Sequence, residues 1–471
     1  MAYFSCRVCG ERYLIGSNRY ICQCGGHFQL DVSQIVSHEG SSRSIWGLAP
    51  ILSTLISVAD SQISDGSANY GGDSSMDILS SVDHLSKEAI STFLERNVIS
   101  LGEGWTPQIR DLLLSQGDDR VDLKLDFLNP TLSYKDRGSA LLVSAAKASG
   151  IQSAAVDSSG NAAVSLAAYC SRAGIELSVY LPEGTSKSKI AQIKRFGGVV
   201  NEVPGDRSAT SVAILEELEK GDTYYMSHIY NPLFHHGTKS LLYELIEGNG
   251  GQVPDEVVIP AGNGTLLLGI GIAISELKRL DNDFKVPRVV VVQAANVAPI
   301  YSLLANGDRA LRDDQQQFEE AYRVVAPGII LKSLVGNARA TDSPSPSATM
   351  STATSKLYGE RKMATTLAEG IAIATPPRLS EMVELISNYG WPVVAVEEDE
   401  IVSAKTMLSV QGVDVEDTAA ATYAGAKKWL EFRRAKSLDP IDGSGCNENP
   451  DKSPLCVVEL TGAGLKSPYR T

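Results

Sequence analysis

The stretch Ser153-Ala-Ala-Val-Asp-Ser-Ser-Gly-Asn161 joins a short apolar run to a polar loop that contains glycine. A helix is predicted to begin near Asn161, so the local order is strand, loop, helix. The same order recurs at Glu256-Val-Val-Ile-Pro260, which leads into a Gly-rich loop and an apolar helix. Other strand-like segments rich in apolar residues are predicted strands: Leu177–Leu181, Val199–Val203, Arg288–Gln293 and Val457–Glu459. Such runs alternating with helices are typical of parallel sheet covered on both faces, so the sequence predicts an α/β fold.

Length and charge narrow the class of protein. With 471 residues the chain is long enough for more than one domain. Its net charge of −14 argues against a nucleic-acid partner, because binding to phosphate backbones requires a concentrated basic surface. No apolar run reaches membrane-spanning length, and the first residues lack a basic segment followed by an apolar core. We therefore expect a soluble, cytoplasmic protein with no membrane partner.

The N-terminal segment holds four closely spaced cysteines: Cys6, Cys9, Cys22 and Cys24. Pairs spaced C-x-x-C and C-x-C can present four sulfurs tetrahedrally, as a structural zinc site requires. Free thiols, or a ribbon that has lost its metal, are the alternatives. Four thiolates leave no open coordination position, so a bound ion would be structural. Residues 1–36 are predicted to form a small β-rich, zinc-ribbon-like segment, with strands at Arg19–Cys22 and His27–Leu30.

Composition divides the rest of the chain. Residues 37–95 are predicted to be a Ser/Gly-rich connector with a leading helix. Residues 96–471 form the predicted body, with a smaller subdomain at about 136–245. Low-complexity insertions at about 337–358 and 437–453 are expected to be surface loops, with a lid as the alternative role.

Four segments contain polar residues or glycines of the kinds that bind ligands or take part in catalysis. Lys135, in Asn129-Pro-Thr-Leu-Ser-Tyr-Lys-Asp-Arg-Gly138, is either a Schiff-base nucleophile or a solvated side chain. Ser158-Ser-Gly-Asn161 either cradles a carboxylate with helix-start amides or only caps a helix. Gly262-Asn-Gly-Thr-Leu266 allows backbone amides to approach a phosphate, and Leu460-Thr-Gly-Ala-Gly-Leu-Lys466 follows a strand at the carboxyl edge of a sheet.

Together these motifs resemble those of fold-type II pyridoxal-phosphate (PLP) enzymes, and most closely those of the threonine synthase family. Ser133-Tyr-Lys-Asp-Arg-Gly138 resembles the family's S-F-K-D-R-G motif, and Ser158–Asn161 resembles its S-x-G-N loop. Ser100-Leu-Gly-Glu-Gly-Trp-Thr-Pro107 is similar to S-L-G-E-G-x-T-P, and Leu460–Lys466 to the T-G-H-G-L-K ending. The resemblance runs from about residue 96 to the end, insertions excepted, and includes the ribbon. It implies a tryptophan synthase β-like fold with two open parallel-sheet domains.

The resemblance also implies roles for individual residues. Lys135 would carry PLP as a Schiff base and move protons between substrate carbons. Asn161 would contact the phenolate oxygen of the cofactor, and Thr461 its pyridine nitrogen. The cofactor phosphate would be held by Gly262, Asn263, Gly264, Thr265 and Leu266. The substrate would be held by Ser158, Ser159 and Asn231, and apart from the resemblance Lys189 could contribute positive charge toward it. A homodimer is expected on the same basis.

The residues that differ from the family pattern are those expected to lie near the substrate. Threonine synthases usually carry S-V-N-P-x-R-L-E-G-Q-K, whose Ser and Arg help to hold the phosphate of O-phosphohomoserine. Here the stretch is Ile229-Tyr-Asn-Pro-Leu-Phe-His-His-Gly-Thr-Lys239, with Ile229 at the Ser position and Phe234 at the Arg position. An aromatic ring cannot replace a guanidinium toward a phosphate. Leu132 also stands where the family prefers Gly, and Ala463 where it usually has His.

These differences leave the substrate open. The first hypothesis is conversion of O-phosphohomoserine to threonine and phosphate, or a related β/γ-replacement or elimination. The alternative is a Ser/Thr-type dehydratase or a synthase that joins a nucleophile to an activated serine. A third reading, a non-catalytic homologue, is disfavoured because Lys135 is present.

Overall fold

The computed structural model describes residues 3–30 except 16 and 18; 46, 51 and 54–57; 87–308 except 118, 206 and 222; and 324–325, 365–435 and 454–466. The predicted insertions at 337–358 and 437–453, and most of the predicted connector, lie outside these residues. The chain divides into two compact units. The first comprises Met1–Trp105 and Asn129–Ser240, and the second Thr106–Leu128 and Leu241–Thr471. The domain boundaries drawn from the sequence remain a prediction.

The first unit contains two sheets. A small antiparallel sheet has the order β2-β1-β3, formed by β1 (Phe4–Cys6), β2 (Arg12–Tyr13) and β3 (Phe28–Leu30). A four-stranded parallel sheet has the order β8-β7-β6-β9, formed by β6 (Ser153–Asp157), β7 (Glu176–Pro182), β8 (Val199–Val203) and β9 (Tyr224–Tyr225). Its helices are α1 (Lys87–Asn97), α2 (Lys135–Ala148), α3 (Asn161–Ala173), α4 (Lys187–Arg195), α5 (Arg207–Leu218) and α6 (Pro232–Thr238).

The second unit is built on one seven-stranded sheet. Its order is β12-β13-β11-β10-β14-β5-β4, and only the edge strands β4 and β12 run antiparallel to their neighbours. The strands are β4 (Gln108–Arg110), β5 (Arg120–Lys124), β10 (Glu256–Pro260), β11 (Arg288–Ala294), β12 (Val324–Val325), β13 (Val393–Val396) and β14 (Leu455–Glu459). The helices are α7 (Ser240–Gly248), α8 (Thr265–Leu280), α9 (Pro299–Asp308), α10 (Leu379–Tyr389), α11 (Glu398–Ser409) and α12 (Asp417–Ala435).

Three inner strands of this sheet are buried along their whole length and are mostly apolar, because both faces of the sheet are covered. Every residue of β10, β13 and β14 is buried. On one side they pack with α12, where Gly425 lies so close to Val292 that an added Cβ would meet its side chain at 2.4 Å. Continuous burial is the pattern of parallel strands under helices on both faces. The predicted α/β class and the predicted strands of the two parallel sheets are confirmed.

The ribbon differs from its prediction in one strand. Arg19–Cys22 is not a strand: the backbone turns there, and the Gly25 amide donates to the Cys22 carbonyl at 2.9 Å. The partner of β3 is β1, near the start of the chain, which the sequence pattern did not reveal. Within the part of the chain that the structure describes, no helix has the length and apolar character needed to cross a membrane.

Candidate functional site

Lys135 is the first residue of α2 and is half-buried. Its amine hydrogen-bonds the hydroxyl of the preceding Tyr134. The Nζ atom also lies 4.0 Å from the centroid of that ring. The lysine is therefore held at a helix start by an aromatic neighbour while remaining accessible, as a nucleophile requires.

The carboxylate of Asp136 anchors the loop that leads into Lys135. It is fully buried and accepts hydrogen bonds from the Thr131 amide at 2.6 Å and the Thr131 hydroxyl at 2.5 Å. The Ser165 hydroxyl of α3 donates to the same carboxylate at 2.5 Å. Asp136 thus ties together the loop, α2 and α3. The sequence motif contained this residue, but the role of a buried anchor required a contact made through space.

Leu132 lies in the same loop and adopts a left-handed backbone with φ +64°. A side chain with a Cβ is strained there by about 1–2 kcal/mol, whereas glycine is not. This explains the glycine expected at the position from the family resemblance. The chain keeps the loop geometry with leucine because Asp136 and the flanking backbone bonds, including Leu132 N to Asn129 O at 2.7 Å, hold it.

The Ser158–Asn161 segment follows β6 directly and leads into α3. Gly160 is the N-cap residue, and its amide donates to the Ser158 hydroxyl at 3.4 Å. Ser158, Ser159 and Asn161 are all half-buried. First-turn amides of a 13-residue helix, with two hydroxyls beside them, form a suitable cradle for a carboxylate.

In the second unit, the predicted phosphate loop precedes α8. Gly264 has φ +76°, and a Cβ there would meet the Met382 sulfur at 2.1 Å. A Cβ on Gly262 would meet the Gly370 carbonyl oxygen at 2.9 Å. These glycines are required by the protein's own packing, which turns the loop into the helix start. The first-turn amides that follow, such as that of Leu266, have no acceptor within the helix and suit a phosphate.

Thr461 follows β14 and is 1% exposed. Its hydroxyl has no hydrogen-bond partner among the described residues. The backbone around it is fixed, because the Leu460 amide donates to the Lys124 carbonyl at 2.9 Å and the Phe127 amide to the Leu460 carbonyl at 3.0 Å. A buried hydroxyl without a partner is costly unless a ligand satisfies it. In the first unit, the fully buried Ser133 hydroxyl, two residues before Lys135, is in the same condition. Within its own unit, each hydroxyl fits contact with a polar ligand.

We expect Thr461→Val to separate cofactor binding from folding. Valine keeps the shape but removes the unsatisfied hydroxyl, so the cofactor-free protein should be as stable as the wild type or more so. The dissociation constant for PLP should rise about tenfold, the worth of one hydrogen bond in a buried site. Titration of cofactor-free protein by absorbance, with thermal unfolding in parallel, checks both effects.

Thr422→Val is the matched control, since the buried Thr422 hydroxyl donates to the Thr418 carbonyl at 3.1 Å. It should lower the free energy of unfolding by about 1 kcal/mol and leave the affinity for PLP unchanged. Loss of stability in Thr461→Val with unchanged affinity would contradict a ligand-facing role.

The side chain of Asn231 forms two hydrogen bonds within the protein. Its side-chain oxygen accepts from the Leu233 amide at 3.0 Å, as the N-cap of α6, and its Nδ2 donates to the Tyr224 hydroxyl at 2.8 Å. These contacts give Asn231 a structural role, and the substrate contact expected from the resemblance remains a prediction. Lys189 lies in the first turn of α4 and is half-buried.

Phe234 is fully buried in the first unit. Its ring packs on α2 where Gly138 leaves room: an added Cβ at Gly138 would meet the ring at 2.4 Å. The His228 ring packs edge-on against it, with centroids 5.9 Å apart. The position that holds arginine in the family pattern is therefore part of an apolar contact here.

The four N-terminal cysteines are brought together. Their sulfur atoms lie within 4.8 Å of one another, and none is in a disulfide. Around a zinc ion with bonds of about 2.3 Å, tetrahedral sulfurs would be about 3.8 Å apart. Burial opposes ionisation of Cys22, yet hydrogen bonds from Tyr13 and from the backbone at Cys24 lower the pKa of its thiol to about 6. The donor set and spacing fit a thiophilic metal.

Known proteins resemble this chain along most of its length. A family model described as "Pyridoxal-phosphate dependent enzyme" matches residues 99–345, just over half of the chain. The threonine synthase of Methanocaldococcus jannaschii is 26% identical over 472 residues, covering 98% of this chain and 92% of that protein. The threonine synthase of Synechocystis is 33% identical over 208 residues, covering 43% of this chain and 53% of that protein.

Solved structures agree at the level of the fold. The serine racemase of Dictyostelium discoideum has a TM-score of 0.52 and 18% identity, covering 76% of this chain and 92% of that one. The cysteine synthase of Entamoeba histolytica has a TM-score of 0.53 and 16% identity, covering 79% and 88%. At such identities the likeness shows the fold-type II architecture alone. With the family match and the threonine synthase relatives, the chain belongs to the pyridoxal-phosphate dependent enzymes, as a lyase of the threonine synthase type.

Proposed function

We propose that this enzyme converts O-phosphohomoserine and water to threonine and phosphate. The observation that carries the proposal is the match to a threonine synthase over nearly the full length of both chains. The ordered motifs around Lys135, Asn161, Gly262 and Thr461 support it. The buried, unsatisfied hydroxyls of Thr461 and Ser133 support a polar cofactor at these motifs.

Each residue of the proposed site would have a role that follows from the chemistry of its side chain. When bound, PLP supplies the electron-withdrawing ring that stabilises negative charge on the substrate α-carbon. Lys135 would hold the cofactor covalently and, once released by substrate, accept and return protons through its Nζ atom. The side chain of Asn161 would orient the ring through the phenolate oxygen. Thr461 would place a neutral hydroxyl at the ring nitrogen, which does not favour a protonated ring.

The phosphates and the substrate carboxylate would be bound mainly by backbone dipoles. The loop Gly262–Leu266, at the start of a 16-residue helix, would hold the cofactor phosphate. Ser158 and Ser159, with the first-turn amides of α3, would hold the substrate carboxylate. Lys189, in the first turn of α4, would supply positive charge toward the leaving phosphate.

A second candidate is a lyase or synthase acting on an unphosphorylated amino acid, such as a Ser/Thr-type dehydratase. The observation that favours it is the burial of Phe234 against Gly138 at the position of the family's arginine. Without that guanidinium, a phosphate dianion loses its strongest directional partner in the family pattern.

A substrate comparison tests the proposal. Purified enzyme loaded with PLP should release inorganic phosphate and form threonine from O-phosphohomoserine, measured by a phosphate assay and by amino-acid analysis. L-serine, L-threonine and O-acetylserine serve as alternative substrates in the same preparation. Absence of phosphate release, together with turnover of an unphosphorylated substrate, would favour the second candidate instead.

We infer further that Cys6, Cys9, Cys22 and Cys24 bind one structural zinc ion. The clustering of their sulfurs within 4.8 Å supports this, as does the absence of disulfides among the described cysteines. A homodimer is a proposal that rests on the family resemblance, and a cytoplasmic location is a proposal carried over from the sequence features.

A further inference from the structure

Within the first unit, the cysteine ribbon packs against the four-stranded sheet and its flanking loop through an aromatic cluster formed by Tyr20, Tyr225 and Tyr230. The Tyr20 ring, two residues before Cys22, meets Tyr225 edge-on with centroids 5.3 Å apart. It meets Tyr230 edge-on at the same 5.3 Å. The ring of His27, also in the ribbon, lies 5.7 Å from that of Tyr230. Edge-to-face pairs at these distances are favourable and directional.

The cluster continues to the loop proposed for the substrate carboxylate. The Tyr225 hydroxyl donates to Asp157 Oδ1 at 2.6 Å, and the Ser211 hydroxyl donates to Oδ2 at 3.2 Å. Asp157 is the last residue of β6 and immediately precedes Ser158. Burial and the Asp157 carboxylate raise the pKa of Tyr225 well above its usual range, so its hydroxyl remains the donor. The carboxylate of Asp157 therefore fixes where the Ser158–Asn161 loop leaves the sheet.

A second series of hydrogen bonds connects the ribbon, at Ile15, to Tyr224 and Asn231. The Tyr224 hydroxyl donates to the Ile15 carbonyl at 3.3 Å and accepts from Asn231 Nδ2 at 2.8 Å. Asn231 in turn caps α6. The ribbon thus holds both β9, which pairs with β6, and the start of α6.

We propose that Tyr20 and Asp157 are positioning residues for the substrate loop, and that the metal-bound ribbon is a supporting part of the substrate site. Cys22 and Cys24 lie in the turn that follows Tyr20, so an ion held by the four clustered cysteines would fix this turn and the position of the Tyr20 ring. With the ribbon in place, the Tyr20 ring packs against Tyr225 and keeps the Tyr225 hydroxyl bonded to Asp157. The Ser158–Asn161 loop is then ordered before the substrate binds. Metal occupancy then sets substrate affinity and leaves the attachment of PLP at Lys135 unchanged. The substrate part of this inference rests on the proposed function.

The test compares wild type, Tyr20→Ala and Tyr20→Phe, each full-length and loaded with PLP, before and after zinc removal by a chelator. Zinc removal should raise KM of the wild type about tenfold, as expected for losing two aromatic pairs, with kcat within about twofold. Tyr20→Ala should show the same rise without a chelator and no further rise with it. Tyr20→Phe, which keeps the ring, should behave like the wild type.

Two readouts do not require turnover. Absorbance of the Lys135–PLP imine should be unchanged in every variant. Hydrogen exchange of the amides from 158 to 164 should accelerate in Tyr20→Ala and in zinc-free wild type. Tyr3→Ala serves as control because it removes a ring from the same ribbon, over Arg12, outside the cluster.

Equal sensitivity of Tyr20→Ala and wild type to zinc removal, or unchanged exchange at 158–164, would overturn the inference. Failure to turn over O-phosphohomoserine with accelerated exchange intact would count against the proposed substrate only.

Discussion

Replacing Lys135 with alanine should abolish the imine absorbance that borohydride reduces, and should lower kcat/KM by about a thousandfold or more. The reason is that its Nζ atom is the covalent anchor and the proton carrier in the proposed chemistry, and no other amine is placed by the motif to do either. The measurement is the absorbance spectrum before and after borohydride, with mass analysis of the peptide that contains residue 135.

The fold should tolerate the change. Lys135 is half-buried, and the contacts that hold its loop belong to Asp136 and Thr131. Lys147→Ala is the matched control, a half-buried lysine in the last turn of the same helix. It should keep both the spectrum and the activity. A reducible imine that survives in Lys135→Ala would exclude Lys135 as the cofactor lysine.

Phe234→Arg should destabilise the protein by roughly 4 kcal/mol or more, although it restores the residue of the family pattern. The ring of Phe234 fills the space above Gly138, and the position is fully buried. A guanidinium there would lose both the ring's packing and its own hydration. Denaturant unfolding measures the free energy, and KM for O-phosphohomoserine measures any gain in phosphate binding.

Phe234→Leu isolates the packing contribution, since it keeps an apolar side chain. It should cost about 1.5 kcal/mol or less, with KM unchanged. An arginine variant that unfolds like the wild type and binds O-phosphohomoserine more tightly would show that the position is open to substrate. In that case the replacement of the family's arginine by Phe234 would by itself explain why the phosphate-binding motif is altered in this chain.

Leu132 and Phe234 both differ from the residues that the family pattern has at these positions. The structure gives a physical reason for each difference. Leu132 occupies a left-handed position that glycine adopts without strain, and Phe234 occupies a space that a neighbouring glycine leaves free. The first departure adds local strain next to Lys135, whereas the second changes which kind of side chain can fit.

Much of the fold could be predicted from the sequence because local patterns carried it. The runs that became β6, β10 and β11 were identified by their apolar residues, since strands covered on both faces are mostly apolar. The strand predicted at Arg19–Cys22 was wrong: the segment leads into a local turn closed by the Gly25 amide on the Cys22 carbonyl, and its Tyr20 ring packs on the distant Tyr225.

The sequence by itself determined the family of the chain and the cofactor it uses, because the motif around Lys135 and the glycine-rich helix starts are local and have a fixed order and spacing. Only the tertiary structure decided what supports those motifs. Asp136 became the anchor of the Lys135 loop through Ser165, 29 residues away along the chain. Tyr20 reached Tyr225 across more than 200 residues. Such contacts depend on which surfaces meet after folding, and no local pattern of residues encodes them.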